Sequence, residues 1–110
     1  MPAYLMQLSY TAEAVAALIA SPQNRTEMIK KVAKKLGGKL TGSWLSFGEY
    51  DIVLIIDMPD SVSAAAFALT AAGGGSLKAV KTTPLLSTEE GVAALEKAGT
   101  SGYKPIETAK

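Results

Sequence analysis

Five aliphatic residues in an unbroken run, Ile52-Val53-Leu54-Ile55-Ile56, stand between Asp51 and Asp57, and the polar stretch "SFGEY" leads into them. Five residues are too few for a helix of ordinary length and far too few for the roughly 20 apolar residues of a membrane span. β-branched side chains bounded by turn residues make the run a strand. Side chains alternate along a strand, so Ile52, Leu54 and Ile56 serve one side of a sheet and Val53 and Ile55 the other. Whatever fold this chain adopts has to cover both sides of one strand.

The rest of the chain supplies partners for that strand. Residues 3–10, "AYLMQLSY", alternate, with Tyr4, Met6, Leu8 and Tyr10 on one face and Leu5, Gln7 and Ser9 on the other. A short helical turn follows and stops near Pro22. Asn24 caps a second helix in which Ile29, Val32, Ala33 and Leu36 repeat at helical spacing, and Gly37-Gly38 ends it. Strands are expected over 39–47 and 51–58, then an Ala-rich helix capped by Asp60 and stopped by the glycines at 73–75, then a strand over 76–84. Ser87 and Glu90 fit a capping box for a last helix near 88–98. With 110 residues there is room for one core. We expect one domain over 1–98 and a polar tail over 99–110.

The order β-α-β-β-α-β with right-handed crossovers predicts an α+β, ferredoxin-like sandwich: one antiparallel sheet, helices on one face, and an added C-terminal helix. The helices cover one side only. Val53, Ile55 and Leu5 on the other side form an apolar face that a second copy would cover, giving a homodimer or higher oligomer of the dimeric α+β barrel kind. The alternative is that the C-terminal helix folds over that face.

Composition narrows the chemistry. Histidine and cysteine are both absent, which removes the commonest general base, the commonest metal ligand, thiolate metal sites and disulfides. No metal site and no cofactor are expected. A net charge of +1 gives no general attraction to nucleic acid or an anionic membrane. Lys30, Lys31, Lys34 and Lys35 occupy the helix side opposite Ile29, Val32 and Leu36, as a solvated face does, and no aromatic interleaving or groove-reading motif accompanies them or Arg25. Neither nucleic acid nor membrane is expected as a partner, and the expected location is cytoplasmic. "GGGS" at 73–76 lacks the Lys-Ser/Thr of a phosphate-binding loop.

Gly48, Tyr50 and Asp51 form a Gly-x-Tyr-Asp motif, with "KKLGGKL" ahead of it and "GEYDIVLIIDMPD" running through it. Together these resemble the GYD-domain family of small bacterial and archaeal proteins, over about residues 3–90. The resemblance implies the ferredoxin-like, oligomeric fold and no particular activity, since none is established for the family. Two departures are Asp57, where glutamate is more usual, and the sequence after Gly99. The motif also has a purely structural reading: Gly48 supplies a positive φ, Asp51 accepts a backbone N–H in a local turn, and Tyr50 lays its ring on the sheet edge.

Gln7, Ser9, Trp44, Tyr50 and Asp51 are the candidate ligand-binding residues, because the first and third strands are neighbours and Trp44 flanks the third. The alternative places Trp44 in a core or interface. Asp51 and Asp57 lie six residues apart on one strand, roughly 20 Å, too far for a catalytic pair. Three functions follow: a small-molecule-binding oligomer, similar to the effector domains of transcription regulators with this fold; an enzyme similar to cofactor-independent monooxygenases of the dimeric α+β barrel group, which use Trp, Tyr and Asn around a cavity; or an assembly subunit. Whether the chain is an enzyme is not legible from its residues.

Overall fold

The computed structural model describes residues 1–107; residues 108–110 of the expected tail lie outside the described residues. The elements are β1 (Ala3–Tyr10), α1 (Ala12–Ala20), α2 (Thr26–Lys35), β2 (Lys39–Leu45), β3 (Ile52–Asp57), α3 (Ser61–Gly73), β4 (Leu77–Leu85) and α4 (Thr88–Gly99). The strands form one sheet in the order β2-β3-β1-β4, every pair antiparallel. This is the ferredoxin-like arrangement, an α+β fold, with the aliphatic strand β3 and strand β1 at its centre.

The first crossover contains two helices. Where a helical turn is expected, α1 runs for nine residues. Thr11 caps it by accepting the Ala14 N–H, and proline is not met until Pro22, so nothing in between stops it. Asn24 acts one position ahead of the cap of α2, its Oδ1 accepting the Thr26 N–H at 2.9 Å. At the other end of α2 the Gly38 N–H donates to the Ala33 carbonyl and the Gly37 N–H to the Lys34 carbonyl, with Gly37 at φ 85°. That pair of bonds is a Schellman stop, and its left-handed residue favours glycine.

The core lies between the sheet and its helices. Met6, Leu54, Ile56 and Met58 are fully buried beside Tyr4 and Leu8, and Ala33 of α2 and Ala64 and Phe67 of α3 close over them. Each large side chain buried here contributes about 1.5–3 kcal/mol. The small Ala33 and Ala64 let both helices approach the sheet.

One irregularity sets the other face. The register of β2 against β3 shifts between Leu40 and Gly42, leaving Thr41 as an extra residue whose hydroxyl donates to the Ile55 carbonyl at 2.9 Å. A bulge of one residue exchanges the faces of everything beyond it. Leu40 pairs with Ile56 on the helix side, but Trp44 pairs with Val53 on the open side. The strand is also shorter than expected, ending at Leu45, and residues 46–51 form the turn.

The helix α4 does not cover the open face. None of its residues is buried, and Val92 and Leu95 are 54% and 74% exposed. The radius of gyration, 17.9 Å, exceeds the roughly 13 Å of a compact chain of this length. Among the described residues no helix is long and apolar enough to cross a membrane.

Candidate functional site

The Gly-x-Tyr-Asp turn is a pinned structural joint. Asp51 gives its N–H to the Leu8 carbonyl, takes the Ser46 N–H on its own carbonyl, and accepts the Tyr10 N–H on Oδ2 at 2.8 Å. Ser46 donates its hydroxyl to the Tyr50 carbonyl, and Ser9 donates its hydroxyl to the Glu49 carbonyl, both at 2.6 Å. The Asp51 carboxylate thus reaches across to the end of β1, whereas a local turn bond is expected. The reason is that Tyr10 leaves the β1–β3 ladder, which ends at Leu8–Ile52, and its N–H needs another acceptor. Gly48 has φ 157°, and a Cβ there would meet nothing within 4 Å. Tyr50 is half-buried, and its hydroxyl makes no hydrogen bond among the described residues.

The remaining candidates lie on the open face. Trp44, Val53, Gln7 and Lys81 stand in one row across the sheet, and Gly42, Ile55, Leu5 and Thr83 in the next. A Cβ built on Gly42 would collide with the six-membered ring of Trp44, so the indole lies across Gly42. Trp44 remains 54% exposed, while Leu5, Val53 and Ile55 are half-buried. Ser9 is buried and its hydroxyl is already used. Gln7 and Trp44 therefore share a surface, and Ser9, Tyr50 and Asp51 share the turn at its end.

The cavity is on the opposite side of the sheet. A space of about 410 Å³ lies between the sheet and helices α1, α2 and α3, walled by Leu8, Leu54, Val32, Phe67 and Leu77. A cleft of about 460 Å³, bordered by Ser43, Leu45 and Ile52, adjoins it. Tyr10, Leu18, Gln23, Arg25 and Ile29 border both spaces. None of Gln7, Ser9, Trp44, Tyr50 or Asp51 lines either one. The Trp, Tyr and Asn expected of an oxygenase are also dispersed: Asn24 borders the outer cleft, Trp44 lies on the open face and Tyr50 in the turn.

The junction has its own electrostatics. Burial pushes the Tyr10 hydroxyl above its ordinary value, the Arg25 guanidinium draws it back, and the Asp51 carboxylate adds to the rise. Arg25 donates from Nη1 to Gln23 Oε1 at 3.1 Å and has no carboxylate within salt-bridge distance among the described residues. Those residues contain no cluster of three His, Cys, Asp or Glu side chains able to hold a metal. Tyr10, Gln23 and Arg25, which border both spaces, are not among the candidate residues read from the sequence. The available signal was that Arg25 is the chain's one arginine and sits at a helix start rather than in the lysine-rich face.

A family model described as the GYD domain matches residues 4–95. No curated protein matches the chain. Among solved structures, the crystal structure of FFRP-DM1 is similar over 78% of this chain and all of its own, with 14% identity and a TM-score of 0.49. The hypothetical protein PHS023 from Pyrococcus horikoshii is similar over 79% of this chain and 92% of its own, again with 14% identity, and a TM-score of 0.47. Both scores are too low to carry a function across.

Proposed function

The protein belongs to the GYD-domain family, and from that premise we propose that it binds a small molecule in the cavity beneath α1. The cavity itself carries this reading. At about 410 Å³ it falls in the range of about 300–1,000 Å³ where small-molecule sites lie, and it combines apolar walls with a few polar groups as such sites do. Its cover is suited to admitting a ligand, since α1 buries none of its own residues and is held by few apolar contacts.

Native mass spectrometry, intact and after denaturation, tests this. A releasable mass in the intact protein is expected. The reading is abandoned if no mass is carried and Ala17→Phe and Ala71→Phe, which fill the cavity from α1 and α3, leave the binding of apolar probes unchanged.

A second proposal concerns assembly. The row Trp44–Val53–Gln7 and the row Ile55–Leu5 present an apolar surface that α4 leaves uncovered. Two such faces packed across a two-fold axis would remove it from water. Sedimentation should show a homodimer, and Val53→Lys should yield folded monomer by circular dichroism. A wild-type monomer would end the proposal.

A further inference from the structure

Among the described residues, Arg25 is the single charged residue lining either the cavity or its adjoining cleft, and no carboxylate lines them. An occupant bearing a positive charge would meet the guanidinium, while the Asp51 carboxylate, whose field reaches the Tyr10 hydroxyl, lines neither space and is engaged by the Tyr10 N–H. An occupant with an apolar body and one negative charge would find both halves matched: Leu8, Leu54, Val32 and Phe67 for the body, and Arg25 for the charge. Gln23 and Tyr10 add neutral hydrogen-bonding groups at the same junction. The guanidinium spends one N–H on Gln23 and meets no acid among the described residues. Most of its planar fork is left free for a carboxylate, which it fits bidentately.

On the reading that this cavity is a ligand site, we propose that its ligand is a small amphiphilic carboxylate, an apolar chain or ring lying beneath α1 with its carboxylate at Arg25. The placement is directional. The apolar end lies toward Phe67 and α3, and the charged end sits at the junction with the outer cleft, where solvent reaches it. Holding the charge at the mouth avoids the cost of burying it in the apolar interior.

Calorimetric titration of the full chain with decanoate, decanol and decylammonium tests the proposal, because the three share a body and differ in the head. Decanoate should bind tightest, about threefold above decanol, as expected of one charge-assisted contact with an exposed guanidinium. Decylammonium should bind weakest. Arg25→Gln should bring decanoate down to the level of decanol and leave decanol unchanged. Equal binding of all three heads, or decanoate binding indifferent to Arg25→Gln, would overturn the carboxylate assignment while leaving the cavity as a site for neutral apolar molecules. Binding by none of the three would overturn the cavity reading itself.

Discussion

The backbone N–H of Tyr10 donates to the Asp51 carboxylate at 2.8 Å, so the end of β1 is tied to the entrance of β3 by a side chain 41 positions away in the chain. The motif aspartate therefore stitches the two central strands beyond the point where their ladder stops. Removing it leaves the Tyr10 N–H without its acceptor in a part-buried place. Asp51→Ala should lower stability by about 1–2 kcal/mol, the low end for a bond to a charged group because the site is half exposed. Asp51→Asn, which keeps an acceptor, should lose less than half of that. Denaturant midpoints measure both, and an Asp51→Ala midpoint equal to wild type would remove the stitching role.

The strand order and the core were legible because they follow from periodicity: Tyr4, Met6 and Leu8 alternate, and Leu54 and Ile56 do the same. The face of Trp44 was not legible. It depends on Thr41 being extruded from the β2 ladder, and nothing in "KLTGSWL" marks which residue is extra. The motif was visible, but its hydrogen bonds run to β1 and so depend on tertiary placement. The cavity was hidden for a similar reason. Leu8, Leu54 and Val32 read as core residues, and only the way α1 lies above them leaves space.

Trp44 is the chain's one tryptophan and lies on the open face, so its emission should follow assembly. Dilution through the dissociation range of the proposed dimer should move the emission to longer wavelength as the indole passes from an apolar interface into water. Val53→Lys should show the longer-wavelength emission at every concentration. Emission independent of both would place Trp44 outside any interface. Gly42→Ala should disturb the same signal, because the added methyl displaces the indole ring.

Tyr10 reports on the charge at the cavity junction. Its hydroxyl is raised above the ordinary value of 10.0 by burial, with Arg25 opposing. Removing the guanidinium's charge in Arg25→Gln should raise it further, and bound decanoate, by neutralising Arg25, should do likewise. The linked stability has a definite sign. A raised folded-state value contributes stability that is complete below about pH 10 and is lost as pH rises through the folded value. Titration of isotope-labelled tyrosine by NMR would follow the group directly. A downward move in Arg25→Gln would contradict the geometry.

Two helix caps that look alike should behave differently in acid. Asp60 Oδ1 accepts the Ser63 N–H at 2.7 Å at the start of α3, and Glu90 Oε1 accepts the Ser87 N–H at 2.9 Å at the start of α4. Hydrogen bonds from those backbone groups hold both carboxyls below their ordinary values. For each, the stabilisation is present above the unfolded value and is lost as pH falls through the lower folded one. What the loss reaches depends on packing. The helix α3 places Ala64 and Phe67 in the core, whereas α4 buries nothing. Asp60→Ala should therefore lower the melting temperature of the whole chain, and Ser87→Ala should only raise amide exchange within α4, by about fivefold for a typical cap. Calorimetry and hydrogen exchange on the two variants separate the cases. If Ser87→Ala lowers the global melting temperature as much as Asp60→Ala does, α4 is packed against something outside its own chain, and the second copy proposed for the open sheet face becomes its most direct support.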